Sequence, residues 1–269
     1  MADEFGGVFD GVTVLVTGHT GFKGSWLSIW LSELGARVVG YSLEPPTTPS
    51  NFEASGLAEA VTDIRADVRD CQRLIAAVEE HRPEIVFHLA AQSLVLDGYR
   101  EPLDTFHTNS SGTVNTLEAI RATDSVRAAV FVTTDKCYEN QGFIWGYRET
   151  DTLGGHDPYS ASKAAMELAT SSWRNSFAAG DTHLRIASAR AGNVICGGDW
   201  AKNRIVPDLV RAIEANQPLN MRNPYASRPW QHVLEPLSGY LSLAQYLMES
   251  SDPIYQSSFN FGPDLQDVR

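Results

Sequence analysis

Tyr159 and Lys163 stand four residues apart in "DPYSASK". That spacing places both side chains on one face of a helix. A tyrosine with its ordinary pKa of about 10 is a poor base at neutral pH. A neighbouring ammonium favours the phenolate and depresses that pKa. Such a pair can take a hydroxyl proton while a hydride leaves the same carbon. Y-x-x-x-K alone is common, and a surface helix pair is its default meaning. "TTDKCYEN", residues 133–140, adds a second group of polar side chains. It follows the apolar run "AAVFV" and sets Thr134 25 residues before Tyr159. Read by itself, the adjacent Asp135 and Lys136 are either a loop salt bridge or the charged end of a catalytic strand.

A hydride needs an acceptor, and the first strand–helix junction offers a place for one. "VTVLVTG", residues 12–18, is a short apolar run ending in glycine, as a buried parallel strand should be. "TGHTGFKG" then brings Gly18, Gly21 and Gly24 to G-x-x-G-x-x-G spacing, with Phe22 and Lys23 between the last two. Glycines let the chain turn tightly and let a pyrophosphate approach a helix N-terminus. Glu44 stands 20 residues beyond Gly24, where a carboxylate can accept from an adenosine ribose. A solvated loop charge is an equal reading of Glu44. No arginine follows the second strand closely in sequence, so NAD is expected rather than NADP. His19 either narrows the cofactor pocket or points to solvent.

Apolar runs and helical patterns alternate along the first 190 residues. Strands are expected at 12–18, 37–43, 60–64, 84–90, 128–134 and 184–192. Helices are expected at about 22–34, 71–81, 103–121 and 159–177. Six alternations predict an α/β fold, a Rossmann-like doubly wound parallel sheet. Residues 1–190 form the expected dinucleotide-binding domain. Residues 191–269 form a smaller C-terminal substrate-binding cap, interleaved with the end of the sheet. Within it, "SSFNFGP" reads as a short extended piece and "EPLSGYLSLAQYLMES" as a helix.

The chain carries a net charge of −12, which offers no basic face for nucleic acid. Cys71, Cys137 and Cys196 are widely spaced, giving neither a disulfide framework nor a metal-ligand pair. A reducing cytoplasm suits them best. No signal peptide or membrane span is expected, since "WLSIWLSEL" is too short to cross a bilayer. Trp26 and Trp30 fall on the core face of the first helix. His88 reads as a packed, hydrogen-bonded strand residue. His156 is a loop residue or a pocket neighbour, and Trp200 and Trp230 are stacking residues or cap core.

The glycine loop, "ADVRD", "HLAAQ", "TTDK" and "YSASK" together resemble the extended short-chain dehydrogenase/reductase family of NAD-dependent epimerases and dehydratases. "TGHTGFKGSWL", "TTDKCYEN", "GYRE", "GNVICGGDWA", "RIVPD" and "RPWQHVLEPLSGYL" are similar to its CDP-glucose 4,6-dehydratase group. The resemblance covers nearly the whole chain, and "TTDKCYEN" and "RPWQHVLEPL" are its most specific parts.

The resemblance implies NAD as cofactor and a nucleotide sugar, CDP-glucose foremost, as substrate. It makes Tyr159 and Lys163 the redox pair and Thr134 the anchor of the sugar's 4-hydroxyl. Asp135 becomes the acid that protonates the departing 6-hydroxyl. Lys136 stands where the dTDP-glucose enzymes carry glutamate, and either removes the C5 proton or assists another base. Asp67 and Val68 border the adenine, and Leu89, Ala90, Ala91, Gln92 and Thr133 lie along the cofactor. Asn193, Arg204 and Arg228 face the substrate diphosphate, a task suited to planar arginine donors. A homodimer through the two long helices, a role in surface-polysaccharide deoxysugars and a cap cut short at Arg269 are further implications. The chain departs from the group in "AAQSLVLDGYREP", in "KAAMEL" and at Cys196. Two alternatives are kept: action on another nucleotide sugar, as dehydratase or epimerase, and a non-catalytic binding relative. An epimerase needs no acid beside Thr134.

Overall fold

Short β-rich runs bounded by glycine, and helices of matching length between them, are the raw material of a parallel sheet. A computed structural model of the chain describes residues 4–180, 183–221 and 223–263. The strands are β1 (Thr13–Thr17), β2 (Arg37–Ser42), β3 (Thr62–Arg65), β4 (Ile85–His88), β5 (Ala128–Val132), β6 (Arg185–Ala191), β7 (Val194–Ile195), β8 (Gln231–His232) and β9 (Ser258–Phe261). Seven of them form one sheet in the order β3-β2-β1-β4-β5-β6-β9, and every pairing is parallel. β7 and β8 pair separately. All six expected sheet strands are present. The seventh, β9, is the piece "SFNF", which sequence reading left outside the sheet. It pairs with β6 from Ser188↔Ser258 to Ala191↔Phe261.

The helices are α1 (Phe22–Glu33), α2 (Asn51–Ala54), α3 (Cys71–His81), α4 (Val95–Arg100), α5 (Pro102–Phe106), α6 (Gly112–Arg121), α7 (Pro158–Phe177), α8 (Ile205–Glu214) and α9 (Leu234–Glu249). A π-helical turn, His107–Ser111, joins α5 to α6. Two cores sandwich the sheet. On one face Leu27, Leu31, Leu237, Tyr240, Leu241 and Leu247 of α1 and α9 pack on Val14, Val16, Phe87 and Val130. On the other, Leu74, Val78, Leu117, Ile120 and Met166 of α3, α6 and α7 pack on Leu15, Val86, Ala129 and Phe131. β5 is buried at every position, as a central parallel strand must be. Each fully buried leucine here contributes about 2 kcal/mol relative to exposure.

α9 and β9 therefore belong to the layers of the sheet, although both lie beyond residue 190. The segment outside those layers runs from 192 to 233 and carries α8, β7 and β8. Residues 264–269 of the expected cap lie outside the described residues. Trp26 and Trp30 sit at the rim of the first core, half-buried. Trp26 Nε1 donates to the Gly197 carbonyl at 3.0 Å, and Trp30 meets Phe5 edge-on.

β1 and β4 are spatial neighbours, while the chain leaves β1 toward β2 and β3 and leaves β4 toward β5 and β6. The order reverses between them. A crevice at the carboxyl ends of the strands, where such a reversal occurs, is where open α/β sheets take ligands.

Candidate functional site

The glycine loop lies at that reversal. Gly18 has φ +77°, and a Cβ there would come within 2.7 Å of the Ala90 nitrogen. A Cβ on Gly24 would lie 2.0 Å from the Gly18 carbonyl oxygen. Both glycines are thus dictated by the turn itself. Gly21 is different. It caps α1 in extended conformation, no side chain caps the helix, and its nearest obstacle to a Cβ is 3.2 Å away. The first turn of α1 consequently presents backbone N–H groups beside a glycine whose Cβ would press on one backbone oxygen only, which suits the diphosphate of a dinucleotide.

The other expected cofactor residues gather along the same edge. Leu89 N donates to the Thr17 carbonyl at 3.1 Å, and Ala90 N to Thr17 Oγ1 at 3.2 Å. Ala91 and Gln92 continue that segment, with Gln92 N held by Asn109 Oδ1 at 2.8 Å. Thr133 follows β5. Asp67 and Val68 follow β3, where the Tyr41 hydroxyl donates to the Asp67 carbonyl at 3.2 Å. Against the burial that would raise it, hydrogen bonds from Arg69 hold the Asp67 carboxyl below its usual range. These residues all lie along the edge from β1 to β5. Among the described residues no group of His, Cys, Asp and Glu could hold a metal ion.

Two sequence expectations change at the β2–β3 end. Glu44 is exposed, yet its carboxylate lies 3.5 Å from Arg65 Nη1. Arg65 arrives from β3, so an arginine does stand beside the end of β2. Chain separation hid it. His19 does not point to solvent: it is buried, and its Nε2 is 2.9 Å from Asp63 Oδ1. The ring fills space left by Gly40, where a Cβ would collide with it at 2.3 Å. Burial pulls the His19 pKa down, opposed by Asp63.

The redox candidates sit at the β5 end. Asp157 caps α7, accepting from Ser160 N at 3.0 Å, and Pro158 occupies the first turn. This fixes where α7 starts and hence where Tyr159 and Lys163 fall. Tyr159 and Lys163 are both buried. Lys163 Nζ donates to the Val132 carbonyl at 3.3 Å, tying α7 to the last residue of β5. Burial pushes the Tyr159 phenol up to about 12, while a hydrogen bond with Thr134 pulls the other way. Burial likewise brings Lys163 down to about 8, with Glu167 opposing.

Thr134 caps a 3₁₀ turn, Asp135–Cys137, and its hydroxyl donates to Asp135 Oδ1 at 2.9 Å. Asp135 pairs with Lys136 Nζ at 3.3 Å, both about one-third exposed. The loop salt bridge is therefore present, at the exit of β5. Asp135 also acts electrostatically on Tyr159.

Arg204, the residue before α8, joins this group: Nη1 binds Asp199 at 3.0 Å and Nη2 binds Ser93 Oγ at 3.1 Å. Its charge acts on Tyr159 and on Lys23. Asn193 lies just past β6, its buried Oδ1 lacking a protein partner. Arg228 is not drawn into the group. It is exposed and donates to its own neighbour's carbonyl, Ser227 O, at 2.7 Å. Lys23 was placed only on the cofactor, yet Nζ reaches Tyr240 Oη of α9 at 3.4 Å. Burial first, then Arg204, brings Lys23 down to about 7. His88 is buried among Thr17, Thr113 and Thr116, and burial pushes it down to about 3. His156 is an exposed loop residue.

Sequence reading missed Glu167, Arg190 and Tyr240. Glu167 carried a signal, since Tyr159, Lys163 and Glu167 repeat at helical spacing. Arg190 and Tyr240 carried none beyond ordinary strand and helix patterns.

Residues 14–255 match the model of the NAD dependent epimerase/dehydratase family. The chain is 50% identical over 265 residues to the CDP-glucose 4,6-dehydratase of Salmonella typhimurium, covering 97% of this chain and 74% of that protein. Its fold is similar to UDP-glucose 4-epimerase of Thermotoga maritima, solved with UDP-glucose, with TM-score 0.79 and 24% identity over 93% of this chain and 76% of that one. It is also similar to dTDP-glucose 4,6-dehydratase of Bacillus anthracis, solved with NAD, with TM-score 0.76 and 19% identity over 94% of this chain and 76% of that one.

Proposed function

This chain belongs to the NAD dependent epimerase/dehydratase family, and from that premise we propose that it is a nucleotide-sugar 4,6-dehydratase converting CDP-glucose to CDP-4-keto-6-deoxyglucose. One observation carries the reading. The Thr134-Asp135-Lys136 turn at the end of β5 lies against Tyr159, in a chain half identical to a CDP-glucose 4,6-dehydratase. Gly18, Gly21, Phe22, Lys23, Gly24, Glu44, Asp67, Val68, Leu89–Gln92, Thr133, Tyr159 and Lys163 would hold the NAD. NAD, when bound, supplies the acceptor that takes hydrogen from C4 of the sugar and gives it back at C6.

Thr134 orients the 4-hydroxyl toward Tyr159, which takes its proton as phenolate; because burial pushes that phenol up to about 12, the phenolate depends on the positive charges of Lys163 and of bound NAD⁺. Lys163 stabilises that phenolate by its charge. The resulting C4 ketone acidifies C5. Asp135 donates a proton to the leaving 6-hydroxyl, and Lys136 removes the C5 proton or assists another base. Asn193 and Arg204 take the substrate diphosphate; Arg228, expected with them, stands outside the group. The segment 192–233 is the proposed substrate cap. A homodimer would use α5, α6 and α7; α5 exposes Leu103 and Phe106, and α7 exposes Leu168 and Phe177. Cytoplasmic residence accords with three free cysteines.

The test is incubation with NAD and CDP-, dTDP-, UDP- or GDP-glucose, read by the alkaline absorbance of a 4-keto-6-deoxy product. A product from CDP-glucose supports the reading. A product from another sugar alone, or a C4 epimer without dehydration, overturns it.

A further inference from the structure

The inner face of α7 carries a third polar residue below Tyr159 and Lys163 that the proposed chemistry leaves unused. Glu167 is 1% exposed and pairs with Arg190 of β6, itself 4% exposed, at 2.8 Å. Three hydroxyls also point at its carboxylate: Thr133 Oγ1 at 2.5 Å, Ser188 Oγ at 2.8 Å and Ser258 Oγ at 3.2 Å. They come from the exit of β5, from β6 and from β9.

We propose that Glu167, supported by Arg190, is a positioning residue of the redox centre, holding the exit of β5 on α7 and keeping Lys163 charged beside Tyr159. The geometry does both. Thr133 directly precedes Thr134, so the carboxylate that binds Thr133 fixes where the Thr134-Asp135-Lys136 turn begins. Arg190 grips the far side of the turn. Its Nη1 donates to Tyr138 Oη at 2.8 Å and to the Glu149 carbonyl at 3.0 Å. Tyr138 Oη donates in turn to Asn260 Oδ1 of β9 at 2.6 Å. The turn is therefore held at both ends by one buried ion pair. A buried ion pair is a poor means of stabilising a fold, because apolar residues of equal volume often serve as well. What apolar residues cannot supply here is an anion one helical turn from Lys163.

The groups acting on Lys163 are few. Glu167 acts from its own helix, and Cys137 from the turn after β5 with its thiol pushed up to about 12 by burial. Lys163 in turn acts electrostatically on His88 of β4, whose pKa is down at about 3, and on Lys23 of α1, whose pKa is down at about 7. Near pH 7 Glu167 is the anion among these. Against the burial that would raise it, Arg190 and the Thr133 and Ser188 hydroxyls hold its carboxyl below the usual range. Removing that charge lets burial prevail, and Lys163 loses its proton at lower pH. Tyr159 then lacks its cation.

The inference rests on the redox roles of Tyr159 and Lys163, but its first readout needs neither cofactor nor sugar. The chain has four lysines, so isotopically labelled lysine gives a sparse NMR spectrum in which Lys163→Met identifies the Lys163 signal. In Glu167→Gln, Lys163 is expected to titrate about one pH unit lower than in wild type. At pH 8 such a shift takes the charged fraction of Lys163, with its pKa at about 8, from about one half to about one tenth, so kcat is expected to fall about fivefold, with KM for the sugar within about threefold. Glu167→Asp, which keeps the charge, should restore the Lys163 titration. Glu167→Gln/Arg190→Gln removes both charges and relieves the stranded guanidinium; it should show the same downward shift, and it decides the matter if the single variant does not fold. An unchanged Lys163 titration in the folded variants overturns the proposal, whatever happens to turnover. Loss of a product from any sugar with the shift intact would sink the dehydratase reading and leave this one standing.

Discussion

The two glycines that bracket the first turn of α1 should separate folding from cofactor binding. A Cβ on Gly24 would sit 2.0 Å from the Gly18 oxygen, 2.7 Å from the Gly18 carbon and 2.9 Å from the His19 Cα. All three are backbone atoms, and none can rotate aside. Gly24→Ala must therefore spread the loop, an overpacking cost of about 2–3 kcal/mol. At about 2–4 °C per kcal/mol for a chain of this size, the thermal midpoint should drop by roughly 4–12 °C. A Cβ on Gly21 meets one oxygen, at 3.2 Å, and its extended φ of −77° suits alanine. Exchanging glycine for alanine at an N-cap costs about 0.5–1 kcal/mol. The midpoint of Gly21→Ala should thus fall by only about 1–4 °C. Its methyl, however, stands where the dinucleotide diphosphate must approach, so NAD affinity should fall tenfold or more, about 1.4 kcal/mol. Thermal melts without cofactor and calorimetric NAD titrations read the two effects separately. Native NAD affinity in Gly21→Ala, or an unshifted melt in Gly24→Ala, would show the cleft to be assigned wrongly.

Asp135→Asn should bind NAD normally and still oxidise C4, then stall, so that reduced nicotinamide accumulates in single turnovers; steady turnover should drop roughly a hundred- to ten-thousand-fold. Tyr159→Phe should lose turnover by a similar factor without accumulating reduced cofactor, and calorimetry should show NAD binding retained. Acid should destabilise the fold through His88, whose folded pKa of about 3 lies below its unfolded value of 6.5. Its contribution is complete above pH 6.5 and is lost as pH falls toward 3, the loss reaching about 2 kcal/mol by pH 5. Melts between pH 7 and pH 5 should show a steeper decline for wild type than for His88→Gln.

Most of the sheet was legible because buried parallel strands are short apolar runs between turn residues, and the helices between them carry their own periodicity. β9 was not, since four residues, all half-buried, give no alternation and their partner β6 lies 70 residues away. α9 read correctly as a helix, but its apolar face could not announce that it covers β5 and β6. Tyr159, Lys163 and Thr134 could be found from spacing on one helix and one strand end. The side-chain pairings that cross between elements could not. Arg65 meets Glu44, and Asp63 meets His19, only through the pairing of β2 with β3. Arg190 meets Glu167 only because β6 runs beneath α7. Helical spacing did point Glu167 inward, but "KAAMEL" was read as drift from the family pattern rather than as the seat of a buried carboxylate.

CDP-glucose deuterated at C4 gives the most direct test of one site that oxidises, dehydrates and reduces in turn. With NAD present, the isolated 4-keto-6-deoxy product should carry the deuterium at C6, as read by NMR. Deuterium retained at C4 of an epimerised sugar, or released to solvent with none at C6, would contradict a dehydratase built on Thr134, Asp135 and Tyr159.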